Sequence, residues 1–523
     1  MKIKYLFLLI LILSSIINKI KTAEPLTYST TWATSLFQLR FFPMFGPPID
    51  LREKTLRQII HVSSSAQIMR LKLSNKYGRT GLEIKAINIA DSKIQGTGEI
   101  IGNTITPIRF KGEEGVIIPP GEEIYSDLFT YSLKTLSEVA ISIYFGSVPE
   151  EITGHDTSMT YSFIEEGNSI NNINISSDNK VARYYFISLL EIVSPLKKSC
   201  VVCFGDSITD GMGSKNDKHN RYPDFLAMKL KLNKDTSYLS VINEGISGNL
   251  VTTQGLERYS HDVLEIKGVK YILVLYGVND LNFLDSTYTD IISTYQTLIT
   301  SAHEKNIFIY GCTILPYGTT GIWTEAREKT RSAINNWIRN TKSENGGFDA
   351  VFDFDKYLRD PDDETKMKDI YNSGDGIHPS PEGYERMVQA IDDLTLFTKE
   401  PKFTYYLDVI DKAGIKFKLN FFIEKNDGPY IYIKGKCQES NGFRVALYDD
   451  NNEKVSDYFY SGKLTNSYFE FDIVLKAQKK ASYIIVRRPL STINIDNISF
   501  SHLEIKTVNE TQLINFENDG EFI

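Results

Sequence analysis

Val201-Val202-Cys203-Phe204-Gly205-Asp206-Ser207-Ile208-Thr209-Asp210-Gly211 runs from four consecutive apolar residues straight into Gly-Asp-Ser. A short run with no polar alternation is a strand covered on both faces, and here it delivers a hydroxyl to the turn at its carboxyl end. Working outward, the same grammar repeats. Strand-length apolar runs recur at Tyr238–Ile242, Tyr271–Tyr276, Ile307–Thr313 and Ala350–Phe354. Between and after them lie helix-length segments near Tyr222–Leu232, Gly255–Leu264, Thr287–Lys305, Glu325–Lys342 and Pro381–Leu394. Two-face strands alternating with helices predict an α/β domain over residues 196–398: a doubly wound parallel sheet between two helical layers. Such a sheet carries its site at the carboxyl ends of its strands.

The flanks read differently. Over residues 24–195, Met69, Leu71 and Leu73 interleave with Arg70 and Lys72, and Val139, Ile141 and Ile143 with Ala140 and Ser142. Period two, with turn signals at Asn75-Lys76-Tyr77-Gly78 and Pro119-Pro120-Gly121, predicts an N-terminal β-sandwich. After residue 399 alternation returns at Ile415, Phe417 and Leu419 and at Phe469, Phe471 and Ile473, which predicts a second β-sandwich over 399–523. Its aromatics Tyr430, Tyr432, Tyr448, Tyr458, Phe459 and Tyr460 fit a sheet core, with carbohydrate binding as the alternative.

The chain of 523 residues is too long for one core, and 41% hydrophobic residues exclude a mainly disordered chain. Lys2 and Lys4 precede an apolar run from Tyr5 to Ile17, with Ala23 beyond, so residues 1–23 are expected to be a secretory signal peptide. That run is too short to cross a bilayer, and no membrane span is expected. Removing Lys2, Lys4, Lys19 and Lys21 takes the formal charge from −8 to −12, which argues against a nucleic-acid partner. The four cysteines, Cys200, Cys203, Cys312 and Cys437, are too few for a disulfide scaffold, and the first two read as buried thiols. Asn174, Asn497 and Asn509 stand in glycosylation sequons, as a secreted glycoprotein would have them.

Ser207 needs a base, because a serine hydroxyl is a weak nucleophile on its own. Asp375-Gly376-Ile377-His378-Pro379 supplies one near the end of the α/β domain. His378 can take the serine proton while Asp375, three residues earlier in a turn, fixes its tautomer. Pro379 resists helix at His378, and Ser380-Pro381 reads as an N-cap followed by proline at the first helical position. Donors for a developing oxyanion are available after the second and third strands, at Asn243-Glu244-Gly245-Ile246-Ser247-Gly248-Asn249 and at Gly277-Val278-Asn279-Asp280. Each is also an ordinary turn when taken alone.

The ordered set Gly205-Asp206-Ser207, Gly248, Gly277-x-Asn279-Asp280 and Asp375-x-x-His378 resembles the SGNH hydrolase superfamily, the GDSL-type esterases and lipases. The resemblance covers about 200 residues. Trp32, Arg70, Asn75 and Gly154-His155 resemble, more loosely, the N-terminal β domain of a secreted subgroup of that superfamily. It implies an SGNH, flavodoxin-like α/β/α sheet, with Ser207 as nucleophile, His378 as base and Asp375 as its orienter. The oxyanion hole it implies combines the Ser207 amide, the Gly248 amide and the Asn279 side chain. Ile208 replaces the leucine of the GDSL name, apolar for apolar. Leu250 stands where several relatives carry a basic residue, which bears on substrate.

Other readings are weaker. Asp210-Gly211-Met212-Gly213 lacks the third glycine of a dinucleotide loop, where Asn216 stands. His61, His155, His219, His261 and His303 show no metal-ligand clustering and read as surface or packing residues, with His155 able to contact the cleft if the N-terminal domain leans over it. Trp323 and Trp337 are expected to pack from the helix after the fourth strand, and Asp360 to Glu364 to form a solvated loop. The function expected is a secreted serine esterase without metal or cofactor, acting through an acyl-enzyme on ester substrates, short acyl groups on carbohydrate above all. The alternatives are a lipase or phospholipase on longer chains, and a noncatalytic extracellular glycan-binding protein.

Overall fold

The computed structural model describes residues 27–40, 46–194 and 198–399, together with the backbone of strands between 409 and 508. The expected signal peptide, the sequons at Asn497 and Asn509, and the side chains of the C-terminal aromatics lie outside the described residues. The chain forms two compact units, with the N-terminal β region and the α/β domain in the first, apart from His303–Asn306, which group with Glu400–Ile523 in the second.

The first unit begins with two antiparallel sheets. One is built on β1 (Thr27–Ala33), β3 (Ala66–Ser74) and β8 (Ile187–Ser194), in the order β1-β8-β3. The other contains β2 (Lys54–Val62), β4 (Leu82–Asp91), β5 (Ser137–Phe145) and β7 (Ser162–Glu166), ordered β7-β2-β5-β4, and β6 (Thr153–Asp156) belongs to a small third sheet. Met69, Leu71 and Leu73 from the first sheet and Val139, Ile141 and Ile143 from the second are fully buried in one core cluster, as the period-two pattern requires of a sandwich.

The α/β domain follows without a break in packing. Its parallel sheet comprises β9 (Ser199–Gly205), β10 (Leu239–Gly245), β11 (Val269–Leu275), β12 (Phe308–Cys312) and β13 (Ala350–Phe352), in the order β10-β9-β11-β12-β13. The order reverses beside β9, the switch point at which open α/β sheets open a crevice. Helices α1 (Ser207–Asp210), α2 (Tyr222–Leu232), α3 (Val278–Phe283), α4 (Tyr288–Glu304), α5 (Glu325–Asn340) and α6 (Pro381–Gln389) connect the strands or follow them. Val201 to Phe204 and Tyr271 to Leu275 are at most 2% exposed, so both faces of the central strands are covered.

Several boundaries differ from expectation for local reasons. Trp323 lies in the loop before α5 and not in the helix; its indole donates to Glu328 at 3.4 Å, and Thr324 caps the helix instead. Trp337 does sit in α5, against Tyr295 and Phe348. The segment expected as a helix from Gly255 starts earlier, at Val251, in a wide π-type turn. The Asp280 carboxylate accepts the Val251 and Thr252 amides at 3.0 Å each, capping that turn from a distant segment. Helix α6 stops at Gln389, and Asp393 caps a separate short turn over Leu394–Phe397.

Cys200, Cys203 and Cys312 are buried free thiols. Three residues apart on β9, Cys200 and Cys203 point to opposite faces, so the pair cannot be bridged. In the second unit, strands from Val409 to Val508 form a five-stranded and a three-stranded sheet, both antiparallel where their register is defined.

Candidate active site

Parallel register sets the level of the site. Gly205 of β9 pairs with Gly245 of β10 on one side and Leu275 of β11 on the other, so three loops leave the sheet edge together. Ser207, Gly248 and Asn279 stand two, three and four residues past those three positions. Gly245 has to be glycine: a Cβ there would lie 2.2 Å from the Asp210 amide nitrogen, so α1 is laid directly on the end of β10. Asp206 caps α1, its carboxylate accepting the Ile208 amide at 3.0 Å, and burial pushes its pKa up to about 7.

His378 reaches Ser207 from the far end of the domain. Residues 372 to 379 form a hairpin in which Asn372 bridges Pro379 and the Ser373 amide donates to the His378 carbonyl at 3.0 Å. Gly376 turns that hairpin with φ +84°, a conformation a side chain disfavours. Ser380 caps α6, accepting the Gly383 amide at 3.1 Å, and Tyr384 donates to the Met212 carbonyl at 2.6 Å, which fastens the hairpin's helix to the loop after Ser207. The Ser207 Oγ lies 2.8 Å from His378 Nε2, and His378 Nδ1 lies 2.6 Å from Asp375 Oδ2.

The charges of this chain are graded. Asp375 is about half exposed (48%) and His378 less so (15%). Partial burial would raise the Asp375 pKa, but hydrogen bonds from the His378 ring and from the His378 and Ile377 amides outweigh it, holding the carboxyl well below the usual carboxylate range. Asp375 Oδ1 takes both amides at 2.9 Å, leaving Oδ2 for the ring. Nδ1–H therefore donates to the carboxylate, and Nε2 presents its lone pair to the serine hydroxyl.

The donor side is assembled from two loops. Asn279 Nδ2 donates to the Asn249 carbonyl at 3.0 Å, tying the third strand-end loop to the residue after Gly248 and leaving its second N–H. Gly248 is exposed with φ +80°, and among the described residues no acceptor takes its amide or that of Ser207. Leu250 is only 9% exposed, packed beneath the loop.

Residues outside the expected triad and oxyanion set hold this arrangement. The Arg258 guanidinium donates to the Gly205 carbonyl at 3.1 Å, the Glu244 carbonyl at 2.8 Å, the Asn249 side chain at 2.8 Å and the Tyr276 hydroxyl at 2.6 Å. One cation thus gathers the ends of β9 and β10 and the loop carrying Gly248. Asp280 plays the capping role described above. No spacing rule points to Arg258, because its partners are distant in sequence, whereas Asp280 ends the Gly277-x-Asn279-Asp280 block.

The histidines need correction. The fold brings His61, His219 and Asp224 together, their ligand-type atoms within 4.8 Å of one another, although their spacing shows no cluster. The two rings stack at 4.1 Å with planes 11° apart. A metal bound to imidazole lies in the ring plane, so parallel rings cannot share one in this arrangement. Asp224 is held by Arg221 at 2.8 Å, and His219 Nε2 by Glu138 at 2.5 Å. His155 is a packing residue, 3% exposed and bonded to Asp210 at 3.0 Å. His261 sits between Asp262 and Glu123. The segment Pro361 to Glu364 is exposed, as a solvated loop should be.

Residues 203–386 match the model of the GDSL-like lipase/acylhydrolase family. Solved structures similar to this chain include a lipase/acylhydrolase from Enterococcus faecalis, at 23% identity over 37% of this chain and 93% of that one, TM-score 0.30. A GDSL-like lipase from Bacteroides thetaiotaomicron is 21% identical over 37% of this chain and 86% of its own, TM-score 0.30. The acetyl xylan esterase AlAXEase is 24% identical over 37% and 97%, TM-score 0.31. No curated protein matches the sequence. The match over residues 203–386 gives the α/β region as a GDSL-like lipase/acylhydrolase domain and supports the SGNH resemblance of its motifs.

Proposed function

We propose that the chain is a secreted serine esterase that cleaves carboxylic esters through an acyl-enzyme, with short acyl groups on carbohydrate as its substrates. The observation that carries the reading is the continuous chain Ser207 Oγ to His378 Nε2 at 2.8 Å and His378 Nδ1 to Asp375 Oδ2 at 2.6 Å. Ser207 Oγ attacks the ester carbonyl carbon as His378 Nε2 takes its proton, and the carbonyl oxygen becomes an oxyanion facing the Ser207 and Gly248 amides and the Asn279 carboxamide. Collapse of that intermediate breaks the bond to the alkoxy oxygen, which leaves as an alcohol with the proton from His378. Water, deprotonated by the same imidazole, then releases the acid and restores Ser207. Asp375 keeps Nδ1 protonated and balances the imidazolium in each half-reaction.

The carbohydrate assignment is supported by a secretory-type N-terminus and flanking β domains, and glycosylation by the exposure of Asn174. Among the described residues no helix is long and apolar enough to cross a membrane. A second reading, longer acyl chains, is favoured by the exposure of Phe283 (63%) and Leu284 (52%) at the end of the helix that carries Asn279.

Replacing Ser207 with alanine should abolish hydrolysis of 4-nitrophenyl acetate in protein that still folds; retained turnover would remove Ser207 as nucleophile. A series of chromogenic esters separates the two substrate readings, since a rate maximum beyond about eight carbons goes against short acyl groups. Release of acetate from acetylated polysaccharide tests the carrier directly.

A further inference from the structure

We infer that Asp210 is a positioning residue for the oxyanion loop, and that the N-terminal β domain, through His155 and Thr157, is part of the catalytic apparatus of this esterase. The inference rests on the proposed function. Asp210 closes α1, the short helix that Ser207 opens, and its buried carboxylate is filled by donors from two other parts of the chain. From the β domain, His155 Nε2 reaches Oδ1 at 3.0 Å and Thr157 Oγ1 reaches Oδ2 at 2.5 Å. From the loop after β10, the Ser247 amide and hydroxyl reach Oδ2 at 3.2 and 2.7 Å. Ser247 immediately precedes Gly248.

His155 is held at both ring nitrogens. His155 Nδ1 lies 2.8 Å from the Ser35 carbonyl and Nε2 lies 3.0 Å from Asp210. Complete burial lowers the His155 pKa, but Asp210 and the Ser35 carbonyl outweigh it and hold the ring above its ordinary value. The Asp210 side chain, buried at the end of α1, orders Ser247 through two hydrogen bonds. The peptide between Ser247 and Gly248 carries the Gly248 N–H, so fixing the amide and side chain of Ser247 limits the directions that donor can take. Oxyanion donors act by being fixed before the charge develops, and small displacements are costly. A β domain serving only as an appendage has no need of a buried histidine bonded to the helix that carries Ser207.

The test measures kcat and KM for 4-nitrophenyl acetate in the full chain, with active sites counted from the acylation burst. Asp210→Asn keeps the shape and removes the charge; it should lower kcat per counted site by on the order of 10²-fold with KM changed less than about threefold. Ser247→Ala should lower kcat in the same sense by less, and the double variant should lose no more than Asp210→Asn alone, because both act through one contact. Unchanged kcat in folded Asp210→Asn, a loss confined to KM, or additive losses in the double variant each overturn the inference. Should Asp210→Asn fail to fold, Ser247→Ala decides, and an undiminished kcat there overturns it. Activity surviving in Ser207→Ala would instead bring down the esterase reading itself.

Discussion

Replacing Asp375 with asparagine should be more damaging than replacing it with alanine. Oδ1 of Asp375 accepts the amides of Ile377 and His378 at 2.9 Å each, and Oδ2 faces His378 Nδ1 at 2.6 Å. An asparagine must choose which end carries oxygen. Placing its NH2 at the Oδ1 position sets donors against two backbone donors and forfeits two hydrogen bonds, at about 1 kcal/mol each at this half-exposed site. The oxygen therefore takes the Oδ1 position and the NH2 faces the ring. Nδ1 then accepts, the proton moves to Nε2, and Nε2 can no longer take the Ser207 proton. The expected loss in kcat is on the order of 10⁴-fold, the size found where a serine triad is locked in the wrong tautomer. Alanine imposes no tautomer, and the 48% exposure of Asp375 admits water beside Nδ1, so the loss should be smaller. Steady-state hydrolysis of 4-nitrophenyl acetate over a pH series, with folding checked by circular dichroism, measures both. Asparagine matching or exceeding alanine, or staying within about tenfold of wild type, would refute the reasoning.

Asn279→Ala should lower kcat by about 10² to 10³ with little change in KM, since it removes one oxyanion donor; an unaffected rate takes Asn279 out of the pocket. His261 is bonded to Asp262 and to Glu123, which raise its pKa to about 9 against partial burial. Because the folded value lies above the unfolded one of about 6.5, the stabilisation is complete below pH 6.5 and is lost as pH rises through about 9. Tm measured across that window should fall, and His261→Asn should show a shallower decline; parallel curves would contradict the assignment. Leu273→Ala in the central strand β11, where the side chain is fully buried, should cost about 2–5 kcal/mol in denaturant unfolding of the first unit, and a cost under about 1 kcal/mol would mean the site collapses around the deletion.

Much of the site is written locally. Gly205-Asp206-Ser207 supplies its own turn and its own cap, and Asp375 needs only Gly376 and Ile377 between it and His378 to satisfy two amides and one ring nitrogen. The strands beside them announce themselves because burial on both faces leaves no polar alternation. The helix expected at Gly255 and the position expected for Trp323 differ from the structure for one reason: in both cases the cap lies outside the apolar period, at Asp280 for one segment and at Thr324 for the other. Metal-ligand spacing likewise missed the His61–His219 stack, whose members are 158 positions apart and meet only because loop 217–220 folds onto β2.

The order of apolar runs, the capping residues and the short Asp-x-x-His turn make the parallel sheet and the Ser207, His378 and Asp375 constellation legible, because each depends on neighbours within a few residues. Tertiary structure alone decided what holds them. Asp210 finds its partners at positions 155, 157 and 247, and Arg258 gathers carbonyls at 205 and 244. Those bonds form between groups whose nearness exists only after the sheets have packed, and a buried charge takes its meaning from what surrounds it in space.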